Sequence, residues 1–110
     1  MINIKYLKIN NSILKFSVNG HANYAEEGND IVCSAVSLCV IGGLNALKNV
    51  NKYLVKIEKG LVEFDANNYI NSHDQIVLET ILVQLTNISY KYSKYVKIEK
   101  MKKDGKSYEI

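Results

Sequence analysis

Two pairs of short segments in this chain alternate apolar and polar residues, and a long stretch with helical spacing of apolar residues follows each pair. Residues 2–19 have a period of two, with Asn10-Asn11 at a central position suited to a turn, so they predict a β-hairpin. A second hairpin is predicted over residues 53–66, turning at Lys59-Gly60. Each hairpin has one apolar face, which must be buried against another layer.

The two helical stretches differ in how much of their surface is apolar. Residues from Ile31 to about Val50 predict a helix that is apolar nearly all round, which places it centrally or beneath a second chain. Gly42-Gly43 within it indicates a close approach by another element, and we favour a helix–sheet contact over a contact between two copies. Residues 73–92 predict a second helix with one apolar face. Ser72 is its expected N-cap, and Gln75 completes a capping box.

A last strand is predicted from Tyr95 to Met101, which completes the order ββαββαβ. Tight hairpins combined with two helices predict an α+β fold, a mainly antiparallel sheet of about five strands that carries both helices. The length favours a single domain over residues 1–110. The order of the strands across the sheet does not follow from these local patterns.

Cys33 and Cys39 are the two cysteines of the chain, and both lie in the first predicted helix. Six residues correspond to about 240° around a helix, so the two thiols face different sides and no disulfide between them is expected. The first residues lack an apolar signal-peptide core, and no segment approaches the roughly 18 apolar residues of a membrane span. These features predict a cytoplasmic protein without a membrane partner.

The candidate chemistry centres on Cys33 and His21. His21 directly follows a predicted strand, and Asp30 is the natural N-cap of the first helix, which puts Cys33 in its first turn. The positive end of the helix dipole favours a thiolate there, whereas the nearby Asp30 carboxylate opposes it. Asp30 could cap the helix, orient His21 or do both. A cysteine nucleophile and a histidine base are the smallest set of side chains needed for this kind of nucleophilic catalysis.

Simpler interpretations exist for each of these residues. A cysteine on an apolar helix is usually a small inert hydrophobic residue, and Cys39 fits that description well. The hydroxyl of Ser37, one turn beyond Cys33, could hydrogen-bond the sulfur, the histidine or its own helix carbonyl. His73 is most simply a solvated residue of the second helix. Because the histidines and cysteines lack the paired spacing of a zinc site, no metal or other cofactor is expected.

Three elements together resemble the signature of the ribosomal-processing cysteine protease family, Prp. They are Gly20-His21-Ala22, Gly28, and the run Asp30-Ile31-Val32-Cys33 continuing through Ala35-Val36-Ser37. The resemblance extends over essentially the whole chain in length and element order. It implies a homodimeric cytoplasmic endopeptidase that removes the N-terminal extension of a large-subunit ribosomal protein, number twenty-seven.

The resemblance also implies roles for individual residues. Cys33 matches the nucleophile and His21 the general base and acid, with Asp30 and Ser37 as supporting residues. Gly20 matches the hinge glycine of a loop that covers the site. Two positions depart from the family pattern, since Asn23 stands where members often have glycine and Ser34 where alanine is usual.

The expected mechanism places an extended, apolar precursor peptide in a groove between loop 22–29 and the first helix. The amides at the helix start are the candidate oxyanion donors. We expect loop 22–29 to become ordered when the substrate binds, which would limit cleavage of other proteins.

A non-catalytic ribosome- or RNA-binding module is the alternative function. Residues 91–110 hold seven lysines against three acidic residues, a net charge of +4, with tyrosines such as Tyr92 and Tyr108 interleaved. However, the chain has no arginine, which is the commonest reader of phosphate and guanine. Lysines on an edge strand also protect against aggregation. We therefore favour a solvated face, with a weak attraction to the ribosome surface and no DNA partner.

Overall fold

The computed structural model describes residues 1–102. Within this range the chain forms five strands and two α-helices in the predicted order ββαββαβ. The strands are β1 (Ile2–Ile9), β2 (Ser12–Gly20), β3 (Leu54–Glu58), β4 (Leu61–Asp65) and β5 (Val96–Lys100), and the helices are α1 (Ile31–Asn45) and α2 (Ser72–Lys91). A short 3₁₀ turn at Val50–Lys52 precedes β3. The predicted α+β class is confirmed.

The strands lie in the order β3-β4-β2-β1-β5. All neighbours are antiparallel except β1 and β5, which run parallel. In the first hairpin, Asn10 and Asn11 have φ angles of 51° and 63°. Two positive φ angles are what a two-residue type I′ turn requires, and asparagine tolerates them better than most residues. The turn predicted at Asn10-Asn11 is therefore confirmed.

The core forms where the helices pack onto the sheet. The fully or almost fully buried residues of α1 recur every four positions, at Val32, Val36, Val40 and Leu44, whereas α2 buries Leu78, Ile81 and Leu85. Burial of each aliphatic side chain of this size contributes about 1.5–3 kcal/mol. Of the two predicted alternatives for α1, the central position is wrong, because Ile31 and Leu38 on its other face are 55% and 76% exposed; coverage by a second chain stays a prediction.

The close approach expected at Gly42-Gly43 is made by a helix. A Cβ on Gly43 would overlap the side chain of Ile81 in α2, whereas the corresponding space at Gly42 is open up to the end of Leu38. The prediction of a helix–sheet contact is therefore wrong. Gly43 lets the two helices pack closely, which the sequence pattern of α1 alone does not reveal.

The first helix is shorter than predicted, ending at Asn45 instead of about Val50. The buried Asp74 carboxylate explains this end, since it accepts hydrogen bonds from the backbone amides of Lys48 and Asn49 at 2.9 and 3.1 Å. In a helix that continued to Val50, these amides would instead donate to carbonyl groups one turn earlier in α1. The hydroxyl of Tyr53 also donates to Asp74, at 2.6 Å, which fixes the chain as it enters β3.

The start of α2 also differs from the prediction. Asn71 is the N-cap, because its side-chain oxygen accepts the amide hydrogen of Asp74 at 2.8 Å, and Ser72 is the first helical residue. Gln75 does not complete a capping box; its Oε1 accepts the amide hydrogen of Ile13 at 3.1 Å. His73 is partly exposed as expected, but its ring lies 2.8 Å from the Asp74 carboxylate.

Candidate active site

A single cavity of about 620 Å³ brings together the site residues predicted from the sequence. The residues Gly20, His21, Asp30, Cys33, Ser34 and Ser37 all line it. One wall is α1, the opposite wall is the β3–β4 hairpin from Ile57 to Val62, and residues of loop 22–29 lie over it. Much of the inner lining is apolar, with Val18, Val40, Ile41, Ile57 and Val62. The groove predicted beside α1 is therefore present, with the β3–β4 hairpin as an additional wall.

The Cys33 thiol is half-buried in the first turn of α1. Its sulfur accepts a hydrogen bond from the backbone amide of Ala22 at 3.3 Å. Ala22 is the residue directly after His21, so the end of β2 and the start of α1 meet at the sulfur. The Ala22 amide hydrogen is thus directed at the sulfur of the candidate nucleophile.

Asp30 fastens two segments with one carboxylate. Its Oδ1 accepts the amide hydrogens of Val32 and Cys33, both at 3.0 Å, and its Oδ2 accepts those of Tyr24 at 2.9 Å and Ala25 at 3.4 Å. Burial acts to raise the pKa of the Asp30 carboxyl, but these amides outweigh it, and the pKa lies below its usual value. Asp30 thus caps α1 and holds the loop. Among residues 1–102 it makes no hydrogen bond to His21.

Three amides at the start of α1 already have acceptors within the chain. Oδ1 of Asp30 accepts from Val32 and Cys33, and the backbone carbonyl of Asp30 accepts the amide hydrogen of Ser34 at 3.0 Å. That helix-start amides act as oxyanion donors stays a prediction, and in the structure three of them already have acceptors. A side-chain N-cap consumes the donors that an oxyanion would need.

His21 lies on the other side of the cavity mouth, against the β3–β4 turn. A Cβ on Gly60 would lie 2.7 Å from Nε2 of His21, so the imidazole occupies the space that a larger residue would fill. The backbone is also fixed here, because Gly20 donates to the Gly60 carbonyl at 2.9 Å. Among the side-chain hydrogen bonds of residues 1–102, none joins the imidazole to the Cys33 thiol. Catalytic hydrogen bonds are often long before the substrate binds.

Loop 22–29 is attached at both sides of the cavity. On one side the ring of Tyr24 packs edge-on against Tyr92 and Tyr95, with centroid distances of 5.6 and 5.1 Å. On the other, the Glu27 carboxylate and the Lys59 ammonium form an exposed ion pair at 2.9 Å. The hydrogen bond and charge of Lys59 hold the pKa of Glu27 below its usual value. Sequence spacing gave no signal for these attachments, since they join residues far apart in the chain.

Asn23 has a φ of 55°, in the left-handed region. Glycine and asparagine are the residues that adopt this region most readily, which explains how asparagine can occupy a position where the family often has glycine. Ser34 and Ser37 both line the cavity, and neither hydroxyl takes part in the hydrogen bonds of the described residues. The Ser37 hydroxyl therefore does not bond back to its own helix.

Cys39 differs from Cys33 in its surroundings. It lies in the contact between α1 and α2, and burial raises the pKa of its thiol. This agrees with its interpretation as an inert residue. In residues 1–102, no three His, Cys, Asp or Glu side chains converge closely enough to hold a metal ion.

The lysine-rich stretch is only partly described. Residues 103–110, including Tyr108, lie outside the described residues. Of the remaining lysines, Lys97 is exposed on β5, the edge strand next to β1. No helix in the described part of the chain has the length and apolar character needed to cross a membrane.

Comparison with known proteins identifies one family. The sequence model of the family described as cysteine protease Prp matches residues 1–97. The ribosomal processing cysteine protease Prp of Staphylococcus aureus (strain Mu50) is 30% identical over 90 residues, covering 74% of this chain and 80% of that protein. The protein of the same name from Mycoplasma pneumoniae is 28% identical over 100 residues, covering 89% of this chain and 98% of its own length.

A solved structure shares the fold as well. It is the essential ribosomal processing protease Prp from S. aureus in complex with a covalently linked product peptide. The TM-score is 0.81 at 25% sequence identity, with 91% of this chain and 99% of that chain covered.

Proposed function

This chain belongs to the cysteine protease Prp family, and from that premise we propose that it is an endopeptidase that removes the N-terminal extension of a large-subunit ribosomal protein, number twenty-seven. The observation that carries the proposal is the shared cavity of Cys33 and His21, with its apolar lining. The covalently linked product peptide of the S. aureus relative supports a peptide as the ligand.

In the proposed reaction, Cys33 is the nucleophile and His21 the general base and acid. The sulfur attacks the scissile carbonyl carbon, His21 protonates the leaving amine, and His21 then activates the water that hydrolyses the thioester. Because the imidazole lies against Gly60 and no hydrogen bond among residues 1–102 joins it to the thiol, the proposed cycle includes a rotation of the ring towards the sulfur. Asp30 acts as a positioning residue through the helix start, and Gly20, Ser34 and Ser37 complete the wall that faces the peptide.

The apolar lining supports an extended peptide with apolar side chains before the cleavage site. The peptide would lie between α1 and the β3–β4 hairpin, under loop 22–29. Since this loop is attached at Tyr24 and Glu27, substrate entry requires at least one attachment to open. We therefore retain the hypothesis that the loop gates the site.

We further propose that the protein acts in the cytoplasm as a homodimer. Support for the dimer comes from exposed apolar residues on the helices, with Leu38 and Ile76 at 76% and 64% exposure on one groove between α1 and α2. Exposed apolar patches of this kind are typical of association surfaces. Replacement of Leu38 by glutamate should yield a monomer in light-scattering measurements, and an unchanged mass would contradict this surface.

The lysines near the C-terminus would add only a weak, salt-sensitive attraction to the ribosome.

The test is incubation of the purified protein with the precursor of ribosomal protein number twenty-seven from the same organism. We expect Cys33→Ala and His21→Ala to abolish cleavage and the control Cys39→Ala to retain it. Mass spectrometry of the products reports the cut. Binding of the precursor without cleavage by the parent protein would contradict the protease function and favour the non-catalytic ribosome- or RNA-associated module.

A further inference from the structure

The reaction needs a donor for the negative charge that develops on the scissile carbonyl oxygen. Such donors must be in place before the reaction, and loss of one typically costs 10²–10³ in kcat. The amides of Val32, Cys33 and Ser34 at the start of α1 are less available, because each already donates to Asp30. The backbone amide of Ala22 is different, since it points at the reacting sulfur itself, at 3.3 Å.

Contacts with the core and with the end of β2 orient this amide. The Ala22 methyl is in the core, with 2% of the residue exposed. Two residues earlier, Gly20 has a φ of 104°, its amide bonds Gly60, and a Cβ at this position would overlap the carbonyl oxygen of Met1. The peptide group between His21 and Ala22 is thus oriented by the end of β2. A donor fixed by a strand costs little reorganisation during the reaction.

We propose that the Ala22 N–H group is a catalytic donor, first to the Cys33 thiolate and then to the oxyanion. This inference rests on the proposed protease function. When the sulfur bonds to the carbonyl carbon, the π electron pair of the carbonyl moves to its oxygen. The negative charge therefore passes from the sulfur to an oxygen that is bonded to the same carbon. An amide 3.3 Å from the sulfur follows this charge with a small shift. When the C–N bond breaks, the pair returns to the carbonyl and the amine takes its proton from His21.

The direct test replaces Ala22 with L-lactic acid, which turns the amide into an ester and removes only the N–H group and its donor capacity. We expect kcat on the precursor peptide to fall on the order of 10²-fold with little change in KM, because the donor acts on charge that develops after binding. The matched control is the same replacement at Ala66, whose amide donates to the Leu14 carbonyl at 2.8 Å and which does not line the cavity. The control should keep most of the activity. A lactate-22 enzyme as fast as its parent would overturn the inference.

A second measurement does not depend on substrate. In protein labelled with ¹⁵N-alanine, the Ala22 amide resonance should move as Cys33 ionises and should be insensitive to pH after Cys33→Ala. Both are measured in a His21→Ala background, so that the imidazole does not contribute. An Ala22 amide resonance whose chemical shift does not change as Cys33 ionises would also overturn the inference. If the parent protein cleaves no precursor, the proposed function fails, while this titration still decides whether Ala22 is the donor to the sulfur.

Discussion

Asp30 fulfils one of the roles considered from the sequence, the helix cap, and has a second role that the sequence did not indicate. Its carboxylate caps α1 through the Cys33 amide and holds the loop through the Tyr24 amide. The remaining alternative, orientation of His21, has no hydrogen bond to support it among residues 1–102. As a result, Cys33 and the loop over it share one anchor. Disturbance of Asp30 should therefore affect both.

The two cysteines should differ strongly in reactivity. Burial raises the pKa of Cys39, so at neutral pH it has less thiolate than an ordinary cysteine, and thiolate is the reactive species. Cys33 has an amide donor at its sulfur and lines an open cavity. With a limiting amount of iodoacetamide at mildly acidic pH, we expect mass spectrometry to find the label at Cys33. Equal labelling of both residues, or the same slow rate in Cys33→Ala as in the parent, would contradict this.

At the scale of elements, the packing of α1 on α2 depends on a single missing side chain. Gly43→Ala should lower the free energy of unfolding by about 1–3 kcal/mol, because the new methyl group overlaps Ile81 in a packed contact. Gly42→Ala is the matched control. The space there is open, and the higher helix propensity of alanine should raise stability by up to about 1 kcal/mol. Urea unfolding of both variants measures the difference, and equal effects would refute this account of the helix contact.

Loop 22–29 is held against the rest of the chain mainly through the apolar contacts of the Tyr24 ring. Tyr24→Ala removes two edge-to-face contacts, to Tyr92 and Tyr95, each worth about 0.5–1.5 kcal/mol. We expect faster hydrogen exchange and proteolysis within residues 22–29. Tyr69→Ala, at a tyrosine that is 73% exposed, is the control and should leave the loop unchanged.

The same assay tests the gating hypothesis. A bound substrate peptide should slow proteolysis of the loop in the parent protein and in Tyr24→Ala. Proteolysis that is indifferent to the peptide would count against gating.

For the whole molecule, Asp74 is the polar centre that joins α2 to the chain between α1 and β3. Burial acts to raise its pKa, but the amides of Lys48 and Asn49, the Tyr53 hydroxyl and the His73 ring outweigh burial, and the pKa lies well below its usual value. Burial and Asp74 in turn raise the pKa of Tyr53. A carboxyl with a lower pKa in the folded state stabilises the fold above the unfolded-state value of about 3.9. That stabilisation is lost as the pH falls towards the folded-state value.

Asp74→Asn should therefore destabilise the protein at neutral pH by about 1–3 kcal/mol, because buried donors lose their charged acceptor. Its stability should also fall less steeply than that of the parent between about pH 5 and 2. Urea unfolding across this range measures both effects. Asp65→Asn, at a carboxylate that is partly exposed, is the control. A parallel pH dependence in Asp74→Asn and the parent would show that Asp74 is not the titrating group.

Local patterns in the chain were sufficient for the elements and for the candidate site residues. Period-two and helical spacing depend on neighbours in sequence, so they yielded the order ββαββαβ, the Asn10-Asn11 turn and the start of α1 after Asp30. They did not predict the end of α1 or the N-cap of α2. At the end of α1 the Asp74 carboxylate accepts backbone amide hydrogens, and at the start of α2 the Asn71 side chain caps the helix.

Tertiary structure alone decided everything that depends on residues far apart in the chain. The parallel pairing of β1 with β5, the contact of Gly43 with Ile81 and the hydrogen bond from Ala22 to the Cys33 sulfur are of this kind. Each of these contacts depends on how the whole core packs. Close packing and the pairing of buried polar groups select one arrangement among several that local propensity does not distinguish in free energy. The candidate residues that line the cavity could therefore be proposed from the sequence, whereas the amide donor at the Cys33 sulfur could not.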